Sequence, residues 1–262
     1  MTTANRIEWN AHPPPCWDGW RPAKVTWAYN QAFAPNYQIV TWDGDVTAQY
    51  TAGLKIKLTQ NGATKYFILM IDSWYAVGAT AVDVYGGSDG AGGAGYTLDN
   101  SAITDFQYST DKAPVGWPMN PLLWTERVTD VTIRGQTPPV TNTWYNLGGV
   151  HIHIPFGIWR VRYQVHAQAN TAANKTLCSV STGLSTNNNT VGSLELKTYQ
   201  ILFGPSEQWA LGSVVQAQAM IYQSTEATVI YYLNTSAGEP AGVIFNNNET
   251  IPAVIEAECA YL

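Results

Sequence analysis

Charge is what this chain has least of. Lys, Arg, Asp and Glu together make up only 12% of its 262 residues, about half the roughly 25% of an ordinary soluble domain. Its polar surface must come largely from Asn, Gln, Thr and Ser, or be covered by other subunits, where charge is depleted. The net charge is −6, with no block of Lys or Arg, which argues against a nucleic-acid partner. No apolar run approaches the about 18 residues of a membrane-spanning helix, so no membrane partner is expected. The opening MTTANRIEWNAHPPP lacks the basic and apolar regions of a signal peptide, and synthesis in a cytoplasm is expected.

Catalytic signatures are equally scarce. No Cys has a flanking His, so a thiol-nucleophile arrangement finds no support. Glu195 and Glu207 are carboxylates of the kind a glycosidase sets across a cleft, but nothing in the sequence brings them together. The Gly-rich GGSDGAGGAG has no P-loop lysine and no helix after it. The chain reads as non-enzymatic, with no catalytic residue, no cofactor and no resident metal assigned. Three cysteines, Cys16, Cys178 and Cys259, cannot all pair within one chain. Cys178 and Cys259 fall on apolar faces and read as buried thiols, with a disulfide between them left open.

What the chain has is alternation. In Ile158–Ala167, Trp159, Val161, Tyr163, Val165 and Ala167 share one face while Arg160, Arg162, Gln164 and His166 share the other. That period of two is a half-buried strand. The ending repeats it, with Ile255, Ala257, Cys259 and Tyr261 inward and Glu256 and Glu258 outward. Eight such runs, near 144–154, 158–169, 176–182, 191–203, 209–222, 227–235, 241–246 and 251–262, fit a sandwich or jelly roll. Earlier strands are expected at Tyr37–Trp42, Leu54–Thr59, Lys65–Ile71 and Thr80–Tyr85, with Asn61-Gly62 as a two-residue hairpin turn. Lys55 and Lys57 oppose Leu54, Ile56 and Leu58, which predicts one wet face for their strand. Ser109–Trp124 reads as a rigid connector, Arg127–Ile133 as a bridging strand, and Thr137–Val140 (TPPV) as the domain boundary.

The fold expected is therefore all-β with little helix. It has an extended Pro/Trp-rich arm at 1–24, a small β-barrel-like N-terminal domain with its connector at 25–140, and a C-terminal jelly-roll sandwich at 141–262.

Candidate contact residues are aromatic or amide. Trp9, Trp17 and Trp20 lie in the arm, where bare indoles would dock onto the chain's own body or onto a neighbour. Trp42, Trp74 and Tyr75 lie at strand ends or loops, where a partner can reach them. Asn187, Asn188, Asn246 and Asn247 mark two loop tips. Asn there ordinarily bonds its own chain, although such tips are also places where a host glycan can be read. His151-Ile152-His153 sets two imidazoles on one strand face, a pair that could bind metal at a threefold axis. A polar strand face is the plainer reading. Asp43-Gly44-Asp45 reads as a turn, because the further acids of a calcium loop are missing.

Over Val46–Trp124 the ordered elements DVTAQYTAGLKIKLTQ, TKYFILMI, VDVYGG, YTLDNSAITDFQYS and KAPVGWPMNPLLW resemble a module of tailed-bacteriophage structural proteins. The final residues, through IPFGIWRVRYQV, YYLNTS and a strand ending in Ala-Tyr-Leu, resemble the trimeric jelly rolls of complement- and TNF-like domains and phage fibre heads. Together these resemblances imply a virion structural protein made in the host cytoplasm. They imply a surface-exposed homotrimer in contact with other virion proteins, and a tail-associated, receptor-binding role towards a host-surface glycan or protein. Capsid decoration through the N-terminal arm and a lectin-like module remain the alternatives. No catalytic residues come with either resemblance.

Overall fold

The computed structural model describes residues 18–30, 37–88, 95–171, 177–190, 196–203, 210–223, 228–238, 241–246 and 251–261. The fold is all-β: 55% strand and 4% helix, with no helix as long as seven residues among the described residues. The chain divides into two compact units. The first holds residues 1–86, 96–120 and Tyr261, the second residues 87–95, 121–260 and 262. The main stretch of the second unit starts at Pro121, ahead of the boundary expected at 140/141.

The first unit contains β1 (Arg21–Pro22), β2 (Ala28–Tyr29), β3 (Gln38–Thr41), β4 (Lys55–Gln60), β5 (Ala63–Leu69), β6 (Trp74–Ala76), β7 (Ala79–Tyr85) and β8 (Thr104–Ser109). Their order is β1-β8-β4-β5-β7-β3-β2, with β6 beside β7. β1 and β2 form the two edges of the sheet yet are neighbours in sequence. From Pro22 to Ala28 the chain can reach about 20 Å at most. Flat strands about 4.8 Å apart would put those edges roughly 29 Å from one another. The sheet must therefore curl into a barrel-like body, and Trp27, Ile39, Tyr50, Ile56, Leu58, Phe67, Val82 and Phe106 fill it. Asn61 and Gly62 both have positive φ, 50° and 76°, the geometry of a tight hairpin turn between β4 and β5.

One expectation for this unit fails. Lys55 is not on a wet face; it is 2% exposed. Its ammonium lies 5.5 Å from the Trp117 ring centre and donates to the Tyr261 carbonyl, while Lys57 lies 4.8 Å over Trp20. The two indoles are 6.3 Å apart, and Trp20 Nε1 donates to the Val115 carbonyl at 2.8 Å. The Pro-Val-Gly-Trp-Pro run at 114–118 thus brings an aromatic lid over the lysine side of β4. Long lysine stems pack under such rings while the charge finds π-faces and carbonyls.

The second unit contains β9 (Thr125–Asp130), β10 (Arg134–Gln136), β11 (His151–Ile154), β12 (Gly157–Thr171), β13 (Leu177–Ser185), β14 (Lys197–Phe203), β15 (Ala210–Gln223), β16 (Val229–Ala237), β17 (Ala241–Asn246) and β18 (Ala253–Cys259). Its pairings are nested: β9 with β18, β10 with β17, β11 with β16, β12 with β15, and β13 with β14. First pairs with last, second with next to last, and so inward, which is the rolled hairpin of a jelly roll. One sheet runs β9-β18-β12-β15, with β17 and β10 added beside β12; the other runs β11-β16-β13-β14. Trp159, Val161, Tyr163, Val165 and Ala167 of β12 are buried as the alternation predicts, as are Ile255, Ala257 and Cys259 of β18. Arg127–Ile133 is no bridge between bodies: β9 is the first jelly-roll strand, paired with the last. The TPPV run lies inside this unit, between β10 and β11. Tyr261 does not continue β18 into the jelly-roll core. It belongs to the first unit, where its hydroxyl donates to the Met70 carbonyl at 3.2 Å.

Candidate functional site

The outward residues of β9, β18, β12 and β15 form a lattice fixed by register. One row across the four strands reads Arg127, Glu256, Arg162, Gln218; the next reads Thr129, Val254, Gln164, Gln216. A third reads Thr125, which is buried, then Glu258, Arg160 and Met220. An open depression of about 600 Å³ lies on this face, lined by Arg127, Arg162, Gln164, Gln216, Gln218 and Glu256 among others. Arg162 donates through Nε to Glu256 Oε1 at 3.0 Å and again through a terminal nitrogen. Arg127 Nε lies 4.0 Å from the other oxygen of the same carboxylate. Beside them Arg160 donates to Glu258 at 3.1 Å. Farther along β12, burial holds the His166 imidazole below its usual pKa, which favours its neutral form, and its Nδ1 has no hydrogen-bond partner among the described residues.

Chemically, the face presents guanidinium groups, carboxamides and one shared carboxylate on rigid strands, an arrangement suited to binding. The alternation of β12 and β18 already put Arg162, Gln164 and Glu256 outward. Arg127, Gln216 and Gln218 went unremarked, although VVQAQAMIYQ carries the same alternation. What the sequence could not show is that Gln218 faces Arg162.

The expected contact residues have mixed fates. Trp20 is buried in its own unit against Trp117 and Tyr66; of the two dockings expected for the arm, this indole takes the chain's own body. Trp42 is 65% exposed, Tyr75 47%, and Trp74 half-buried. They lie on strands that flank β7, Trp42 just past β3 and Trp74 and Tyr75 on β6. Beyond them Val77 is fully exposed at the β6–β7 turn. Asn187 and Asn188 sit on an exposed turn organised from below by buried Asn234. The Asn234 amide donates to the carbonyls of Thr190 at 2.7 Å and Asn187 at 3.2 Å, while its oxygen accepts from the Asn189 N–H at 3.0 Å. Asn246 is not at a loop tip: its backbone ends β17, opposite Arg134 and Ala167. Trp9, Trp17 and Asn247 lie outside the described residues, as do Cys16, Glu195 and Glu207.

His151 and His153 have ring centres 5.2 Å apart, and His151 packs near Tyr232. Among the described residues no three His, Cys, Asp or Glu side chains gather to hold a metal. Asp45 accepts from the Thr47 N–H at 3.0 Å and closes a local turn, while Asp43 accepts from the Thr26 N–H, distant in sequence, at 2.6 Å. Cys178 and Cys259 are both buried.

No family model matches the chain, and no curated protein does. Among solved structures, one titled "Structure of infectious bursal disease virus Gx strain" is 13% identical, with a TM-score of 0.14, over 89% of this chain and 58% of that one. The chain thus spans less than two thirds of that structure's length, and a likeness this low carries no argument about fold or function.

Proposed function

We propose that the protein is a non-enzymatic structural component of a phage virion, a homotrimer that acts as a tail-associated adhesin. The observation that carries the adhesin part is the open depression on the β9-β18-β12-β15 face, where exposed hydrogen-bonding groups stand on paired strands. Rigid strands hold such groups in a fixed pattern, which favours recognition. The virion part is supported by the sequence resemblance over Val46–Trp124 and by the low charge of the chain. The trimer draws on the jelly-roll likeness and on Tyr199 and Ile201, exposed side by side on β14, a strand at the margin of its sheet. Large apolar side chains on a sheet margin favour contact with another chain.

Light scattering on the full chain should give about three times the 28.7 kDa of one chain; a single-chain mass contradicts the trimer. Incubation with bacterial polysaccharides should yield no shortened products, and turnover contradicts the non-enzymatic reading. Capsid decoration draws on a different observation, the exposed apolar side chains of Trp42, Tyr75 and Val77, which suit a virion neighbour. Attachment to assembled heads without binding to cells would select that role.

A further inference from the structure

The depression on the β9-β18-β12-β15 face has a charge pattern of its own. The Glu256 carboxylate stands between Arg162 and Arg127, so two guanidinium groups share one counter-charge. Glu256 keeps only 14% of its side chain exposed against 60% for Arg162. The excess positive charge is therefore the part that reaches solvent. Cross-strand ion pairs alone would do no more than stabilise the sheet. The carboxamides beside them add recognition: Gln164 and Gln216 face each other and Gln218 faces Arg162, all three exposed. Each carboxamide offers both a donor group and an acceptor. On the same face of β15, Met220 and Tyr222 are exposed, apolar surfaces of the kind that pack on the C–H side of a sugar ring.

Resting on the adhesin reading, we propose that this depression binds a carboxylated saccharide. The ligand's carboxylate meets the Arg162 and Arg127 guanidinium groups, and its hydroxyls meet Gln164, Gln216 and Gln218. The planar fork of a guanidinium matches a carboxylate in geometry as well as charge. A neutral sugar would leave the excess charge unanswered, and a bare anion would leave the carboxamides unused.

The test is calorimetric titration of the full chain with trigalacturonic acid, its methyl ester and neutral maltotriose. The acid should bind, more weakly as salt is added, with the ester and the neutral sugar about tenfold weaker or worse. Arg162→Gln removes the exposed guanidinium, and Gln218→Glu places a competing carboxylate opposite Arg162. Each should weaken acid binding about tenfold while circular dichroism and solution mass stay unchanged. Equal binding of the ester, unaltered affinity in both variants, or no binding of the acid overturns the proposal. The adhesin reading fails separately. A chain that binds a neutral saccharide here, and loses it in Gln164→Trp, overturns the carboxylate assignment and keeps the adhesin. A chain that binds no saccharide and no bacterial cell overturns both.

Discussion

Tyr163 of β12 donates its hydroxyl to the Thr182 carbonyl of β13 at 2.9 Å, a hydrogen bond that crosses the jelly-roll core from one sheet to the other. The Thr198 hydroxyl of β14 lies 3.0 Å away and also donates to the Thr182 carbonyl, at 3.2 Å. Tyr163→Phe keeps the ring and removes the tie. Because Thr198 still serves the Thr182 carbonyl, the loss should be about 1 kcal/mol, read as a lower urea midpoint with an unchanged slope.

The same phenol predicts an alkaline limit. Burial pushes the Tyr163 pKa up to about 12, against a smaller lowering by Thr198. The unfolded chain releases that proton near pH 10, so the contribution is whole below pH 10 and is lost as pH rises towards 12. Two pKa steps correspond to roughly 2–3 kcal/mol. Wild type should lose stability across that window, with phenolate absorbance rising as it unfolds, and Tyr163→Phe should lose less.

Val77 and Gly78 form the β6–β7 turn with φ of 52° and 82°. Glycine accepts that conformation, but a β-branched side chain is strained there. Val77 is fully exposed, so little packing offsets the strain. Val77→Asn should stabilise the protein by about 1 kcal/mol, seen as a higher melting temperature.

Asn234 is fully buried and holds the 187–190 turn through three hydrogen bonds. Asn234→Ala leaves those backbone groups without the side chain that satisfies them, at a cost of about 2 kcal/mol. Hydrogen exchange should quicken at the Asn189 amide first. Unchanged exchange there would show that the turn stands without its anchor.

Much of the second unit was legible because a half-buried strand prints its two faces as alternate letters, as Trp159–Ala167 does. The place of its first strand was not, because β9 is assigned to the jelly roll by pairing with β18 far along the chain, and TPPV nearby looks like punctuation. Lys55 misled for a related reason. Its letter says solvent, while the cover over it comes from Trp117, distant in sequence. β1, β2, β6 and β8 escaped notice as well; the first three are two or three residues long, too short to show a period. At the candidate site, the outward side chains of β12 and β18 were readable, but the meeting of Arg127, Glu256, Arg162 and Gln218 in one row is a matter of register. Register is set by the folded whole.

Retention of the labelled full chain on a panel of bacterial strains tests the central claim most directly, with Gln164→Trp as the comparison because a bulky ring there fills the depression whatever the ligand's charge. Wild type should be held by at least one strain, and the variant, folded and of the same mass, should wash off. Equal retention of the two, or no retention of either, would contradict the account.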